Sequence, residues 1–176
     1  MLSNNFTFFE DGDSKKEKYL DYESFITYLE ENTDDRLLLL SINICSLYAK
    51  IDELRLFISH LQEKDVHPSV ISLQETWTFP LTNENELKIE GYKLILNSRV
   101  ASRGGGVGFY VKNGLNFKKI ESMTIMHEKI FECIGLELKI NDFLLCIGNF
   151  YRPPHFTEND KGSMNFFNMF EIGLRK

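Results

Sequence analysis

From Arg36 to Trp77 the chain reads as strand, helix, strand, and that order constrains the fold more than any other feature. Val70-Ile71-Ser72-Leu73 is a short, mostly apolar run with two β-branched residues behind Pro68, the pattern of a buried strand. Arg36-Leu37-Leu38-Leu39-Leu40-Ser41-Ile42-Asn43 is a second apolar run, as expected of a strand covered on both faces, although its length alone leaves a helix open. Between the two, Leu47, Ile51, Leu54, Ile58 and Leu61 recur at steps of four and three, with Lys50, Asp52, Glu53 and Arg55 turned outward. That spacing predicts a helix with a core-facing stripe and Ser46 as its N-cap. Strand, helix, strand implies a right-handed crossover between parallel neighbours of one sheet. Asn43 and Glu75, which end the two strands, then share one sheet edge. An ionised carboxylate beside a core strand is costly unless hydrogen-bonded, paired or bound to a metal. Such strand ends are also where α/β sheets commonly place ligands. For a lone Glu after a strand, a solvated rim residue would be the simpler reading, so the neighbouring motifs decide.

Composition narrows the class. With 176 residues, 43% hydrophobic and 26% charged, the chain suits one globular domain with a real core, and fifteen Phe and seven Tyr lean it towards β structure. A net charge of −6 argues against coating nucleic acid by charge alone, but leaves open an enzyme that meets phosphates through a metal ion. Cys45, Cys133 and Cys146 are scattered, with no Cys-x-x-Cys pair, so reduced thiols in an intracellular protein are expected, without a zinc site. No signal peptide and no membrane partner are expected, because no apolar run approaches the ~18 residues of a bilayer span.

Residues 1–35 read as a polar, acidic extension. Tyr22, Phe25, Ile26 and Leu29 predict one amphipathic helix over Tyr19–Glu30. Beyond Trp77 a solvated loop leads to a strand over Tyr92–Leu96 and then to Arg99-Val100-Ala101-Ser102-Arg103-Gly104-Gly105-Gly106. A phosphate-cradling glycine loop needs a helix directly after it. Val107–Val111 is β-branched and aromatic, so a hairpin-like turn into a strand is the better reading. Arg99 and Arg103 beside it are candidates for phosphate contact, though solvated arginines fit equally. Ile134, Leu136, Leu138 and Ile140 alternate with Cys133, Gly135, Glu137 and Lys139, the period of a half-buried strand. Asn141-Asp142 reads as a turn, and Phe143–Tyr151 as a returning apolar strand stopped by Pro153-Pro154. Tyr151 is thus a third polar group at a strand end. Phe166, Phe167, Phe170 and Leu174 predict a last helix over Asn165–Leu174, and His60, His67, His127 and His155 read as surface residues.

Three stretches taken together resemble one family. Leu40-Ser41-Ile42-Asn43-Ile44-Cys45-Ser46-Leu47, Ser72-Leu73-Gln74-Glu75-Thr76-Trp77 and Asn149-Phe150-Tyr151-Arg152-Pro153-Pro154 look like the first three motifs of the endonuclease/exonuclease/phosphatase superfamily. The Arg103-Gly104-Gly105-Gly106-Val107 segment, followed by Phe109-Tyr110-Val111-Lys112, most resembles the endonuclease domain of jockey-like non-LTR retrotransposons. The match runs from about Arg36 to Arg175, so residues 36–176 are expected to form the first two-thirds of such a domain. The resemblance implies a four-layer α/β sandwich of the deoxyribonuclease I type, with two mixed sheets packed face to face and helices outside. It implies phosphodiester hydrolysis with Mg²⁺ (or Mn²⁺), with Glu75 ligating the metal, Asn43 beside it and Tyr151 on the scissile phosphate. Arg103 and Arg152 would contact nucleic acid. DNA would be the substrate, and in a full-length element, expected in the nucleus, a reverse transcriptase domain and element RNA would be the partners. The family's Gly-Asp-x-Asn and Ser-Asp-His motifs do not occur in these residues. A truncated copy, inactive alone, is therefore expected. A non-catalytic remnant and a phosphatase or phosphodiesterase of the same superfamily are the alternatives.

Overall fold

The computed structural model describes residues 6–8, 18–31 and 37–153. The helix expected over Asn165–Leu174, and His155, lie outside them. The chain divides into two compact units, Met1–Leu38 with Asp52–His67, and Leu39–Ile51 with Pro68–Lys176.

In the first unit, strand β1 (Phe6–Phe8) pairs antiparallel with β2 (Lys18–Leu20), a hairpin with no signal in the polar sequence around it. Helix α1 then runs over Tyr22–Glu31. It starts three residues later than the apolar spacing suggests because Asp21 caps it. The Asp21 carboxylate accepts from the Ser24 backbone N–H at 2.9 Å, as an N-cap does. Phe25, Ile26 and Leu29 are buried as expected. The Tyr22 hydroxyl and His60 Nδ1 lie 2.5 Å apart, so His60 is a half-buried partner of α1 and not the surface residue its polarity suggests.

Strand β3 (Leu39–Asn43), helix α2 (Leu47–Glu63) and strand β4 (Val70–Gln74) follow the expected order. All five stripe residues of α2 are buried, and Ser46 Oγ accepts from the Ala49 N–H at 3.4 Å as the cap. After a 3₁₀ turn at Glu84–Leu87 come β5 (Tyr92–Asn97), β6 (Val107–Lys112), β7 (Asn116–His127), β8 (Phe131–Ile140) and β9 (Phe143–Tyr151).

The second unit holds two sheets. One has the order β3-β4-β6-β5, with β3 parallel to β4 and the remaining pairs antiparallel. The other has the order β7-β8-β9 and is antiparallel throughout its described strands, whereas two mixed sheets were expected. Short turns join β7 to β8 and β8 to β9, and a short turn can only return a strand antiparallel. Val70, Val107, Phe109 and Val111 of the first sheet share one apolar core with Ile134, Leu136 and Leu138 of the second.

Burial corrects two strands. The leucine run of β3 is not covered on both faces: Leu39, Ser41 and Asn43 share an exposed face, with Leu39 46% exposed, and Leu40 and Ile42 are only half-buried on the other. In β8 the expected alternation holds only from Glu137 onward, because Phe131 to Leu136 are buried on both faces. Glu132 and Asn149, both polar, lie within this buried zone.

Candidate active site

The parallel register sets Asn43 opposite Gln74, so Glu75 follows directly at the rim of the same edge. The turn that links β3 to α2 is laced to the end of β4. The N–H groups of Ile44, Ser46 and Leu47 each donate, at 2.9 Å, to the carbonyls of Gln74, Glu75 and Thr76. On the other side the N–H groups of Thr76 and Trp77 donate to Gly106 and Gly105 at 3.2 and 2.8 Å. Between these two loops the backbone leaves its ordinary range. Cys45 and Ser46 have φ of 46° and 87°, and Glu75 and Trp77 have 53° and 54°. Non-glycine residues held there cost on the order of 1–3 kcal/mol each and persist only where their surroundings over-determine them.

The glycine run now has a structural account. Gly105 and Gly106 lie at φ 59° and 82°, and a Cβ on Gly105 would collide with the Arg99 guanidinium, one on Gly106 with the Thr76 hydroxyl. Glycine lets this loop lie against the Glu75 loop, and β6 follows it as the sequence predicts.

The Glu75 carboxylate is the hub. Tyr151 Oη donates to its Oε1 at 2.7 Å, Trp77 Nε1 donates to Oε2 at 3.2 Å, and Asn43 Nδ2 lies 3.5 Å from Oε1, the outer limit of a hydrogen bond. The Cys45 thiol donates to Asn43 Oδ1 at 3.2 Å and stands 3.9 Å from Glu75 Oε2. The three residues expected to form the site, Asn43, Glu75 and Tyr151, are therefore together. Partial burial alone would raise the Glu75 carboxyl, but hydrogen bonds from Tyr151, Trp77, Asn43 and Cys45 outweigh it and hold the group below the usual carboxylate range. Burial, then the Glu75 carboxylate, pushes the Tyr151 hydroxyl far above its ordinary value, so it stays a neutral donor. The same two causes raise the Cys45 thiol.

Arg103 is exposed, with its guanidinium 5.6 Å from the centre of the Trp77 ring, and Arg152 is exposed after β9. Arg99 departs from expectation. It is 4% exposed and not available to phosphate, because its Nε donates to Glu132 Oε1 at 2.6 Å and its Nη2 pairs with the same oxygen. Asn149 opens the third motif but is not among the site residues expected from the sequence. Its buried amide donates to the Leu73 and Gly108 carbonyls at 2.8 and 3.0 Å and accepts from Gln74 Nε2 at 2.7 Å, joining β9 to β4 and β6. It stands two residues before Tyr151, hence on the same face of β9, and that spacing was the available clue.

Among the described residues no three His, Cys, Asp or Glu side chains cluster as a ready-made metal cage. The donors at the rim still fit a hard cation. Glu75 is an ionised carboxylate, Asn43 carries an amide oxygen that accepts from the Cys45 thiol here, and that one nearby sulfur is a neutral thiol, a poor ligand. Mg²⁺ and Mn²⁺ favour such oxygen donors, and Mg²⁺ typically takes one or two carboxylates, with waters and substrate phosphate filling the remainder.

No protein-family model and no curated protein sequence matches the chain. Solved structures do. AP endonuclease LMAP from Leishmania major superposes with a TM-score of 0.57 at 16% identity, covering 82% of this chain and 49% of that one. The endonuclease domain of TRAS1, a telomere-specific non-LTR retrotransposon, gives 0.54 at 11% identity, with 80% and 53% covered. TDP2 from D. rerio, complexed with a single-strand DNA product, gives 0.53 at 14%, with 81% and 56% covered. This chain spans about half the length of those it matches. These likenesses show the fold: the chain shares the two-sheet α/β architecture of those structures.

Proposed function

We propose that this chain carries the metal and phosphate site of a DNA endonuclease that hydrolyses phosphodiester bonds, with Glu75 as the metal ligand. One observation carries the reading. Glu75 is kept ionised in a strained backbone conformation at a strand end, ringed by donors from three separate segments of chain. A carboxylate that only solubilised the rim would need none of this.

Glu75 would hold Mg²⁺ or Mn²⁺ with the Asn43 amide beside it. When bound, such an ion polarises a phosphoryl oxygen and stabilises charge on the leaving oxygen. Asn43 is a neutral donor suited to a phosphate whose oxygens gain charge during reaction, and Tyr151, whose one O–H is given to Glu75 in this structure, would serve that phosphate by turning its hydroxyl from Glu75 to it. Arg103 and Arg152 would meet neighbouring phosphates of the strand. The finer reading is a non-LTR retrotransposon endonuclease that nicks target DNA to prime reverse transcription in the nucleus. A reverse transcriptase domain and element RNA would be its partners. It is supported by the Arg103-Gly104-Gly105-Gly106-Val107 run and by Tyr151-Arg152-Pro153-Pro154.

The experiment is nicking of supercoiled plasmid in Mg²⁺ by a polypeptide that joins this site to the Gly-Asp-x-Asn and Ser-Asp-His motifs, beside its Glu75→Gln variant, because these 176 residues alone are expected to be inactive. Nicking that depends on Mg²⁺ and is lost in the variant supports the reading. Nicking that survives Glu75→Gln, or hydrolysis of a simple phosphomonoester in place of plasmid, contradicts it.

A further inference from the structure

Glu132 is an acid where the local sequence favours an apolar side chain. It lies on β8 between Phe131 and Cys133, is 0% exposed, and directs both carboxylate oxygens to the segment from Arg99 to Gly106. Its Oε1 accepts from Arg99 Nε and pairs with Arg99 Nη2, while its Oε2 accepts from the Gly106 N–H at 2.5 Å. Arg99 in turn donates from Nη1 to the Arg103 carbonyl at 3.2 Å and to Ser102 Oγ at 3.4 Å. A buried ion pair is a poor device for stability, since well-packed apolar residues of like volume often do as well or better. Geometry is the better account of why these two charges are buried here.

That geometry leads to Glu75 by two routes. Through the loop, Gly106 and Gly105 offer the carbonyls that hold Thr76 and Trp77, the two residues after Glu75. Arg99 fills the space against Gly105 that a Cβ would need. Through the sheet, Glu132 is the register partner of Tyr151, whose hydroxyl donates to Glu75. One acidic side chain thereby ties the glycine loop to the strand that carries Tyr151, and Glu75 sits between them. We propose that Glu132 and Arg99 are positioning residues for Glu75, a buried clamp that fixes the carboxylate in its metal-binding orientation without touching metal or substrate. The functional part of this assignment rests on the reading of Glu75 as the metal ligand, whereas the clamp itself is a statement about geometry.

Trp77 is the chain's one tryptophan, and its indole N–H is bonded to Glu75, so its single indole N–H resonance reports the carboxylate's position without metal or substrate. The test is the full chain with Arg99→Met and Glu132→Leu together, an apolar pair that keeps the volume, read by indole resonance, Mn²⁺ affinity and thermal midpoint. Arg99→Lys is the second variant, since it keeps the charge but cannot span Glu132 and the Arg103 carbonyl at once. The clamp predicts that the double variant stays folded, that its indole resonance moves towards a solvent-exposed position, and that Mn²⁺ affinity falls about 10- to 100-fold, the usual scale for groups that orient a metal ligand. Arg99→Lys should shift both in the same direction by less, and it carries the test if the double variant does not fold. An unmoved indole resonance and unchanged Mn²⁺ affinity in folded variants would overturn the clamp. If the unaltered chain binds no Mn²⁺ while the indole resonance still moves in the variants, the clamp stands and the metal reading of Glu75 falls.

Discussion

The two ends of β9 make opposite use of similar sequence. At its C-terminal end Asn149 is buried and Tyr151 is half-buried, and the side chain of each meets a named partner in the first sheet. At its N-terminal end Phe143 and Leu144 are 77% and 65% exposed on the edge of the second sheet, and Leu145 is exposed too. One strand therefore runs from open apolar surface into a fully satisfied polar rim. Hydrophobicity alone would have placed the core at the wrong end. The polar end is defined by hydrogen-bond geometry, and small changes there should matter far more than large ones at the other.

The largest expected effect is at the hub. In a polypeptide that joins this site to the two absent motifs, Glu75→Gln should lower metal-dependent nicking by at least about 10²–10³-fold, the scale on which removal of one preorganised electrostatic group is felt. Plasmid relaxation under single-turnover conditions measures it, and Phe143→Ser in the same assay should change nothing. Next comes Asn149→Ala, which removes one of the partners of Gln74 and the donor to two strand carbonyls. Stranding buried polar groups costs about 1–3 kcal/mol, and urea unfolding should show a loss of that size. Replacing both Phe143 and Leu144 by Ser should leave stability within about 0.5 kcal/mol while reducing self-association in sedimentation, because a flat apolar edge invites strand pairing. A large loss of stability there would erase the contrast between the two ends.

The smallest effect concerns the loop that leads into the glycine run. Glu128 accepts from the Val100 and Ala101 N–H groups at 2.6 and 2.8 Å and from Ser102 Oγ at 2.7 Å. The Ala101 backbone bond, then the Ser102 hydroxyl, lower its carboxyl from 4.5 to about 2. A depressed folded-state value means the ordering is fully present above pH 4.5 and fades as pH falls towards 2. The resonances of Val100 and Ala101 should therefore shift as pH falls through about 2, and Glu128→Gln should abolish the shift.

Much of this site is legible in the sequence because it follows from periodicity. The α2 stripe and the polar residues closing β3 and β4 require only that strands alternate and helices turn, and they bring Asn43 and Glu75 to one rim. Arg99 was misjudged because an arginine beside glycines looks the same whether it faces phosphate or a buried acid. Glu132, thirty-three positions away, decides between the two, and pairings at that separation leave no local pattern. The leucines of β3 read as doubly covered because an apolar run cannot say whether anything packs on each face of its strand. The hairpin β1–β2 escaped because three-residue strands carry too few alternations to read.

The central claim is that Glu75 is a metal ligand, and Trp77 allows it to be tested directly on these 176 residues, since its Nε1 lies 3.2 Å from Glu75 Oε2. The measurement is quenching of Trp77 emission by paramagnetic Mn²⁺, with competition by Mg²⁺. The account predicts saturable quenching that Mg²⁺ reverses and that Glu75→Gln removes. Quenching that is linear in Mn²⁺, or that is the same in Glu75→Gln, would contradict it.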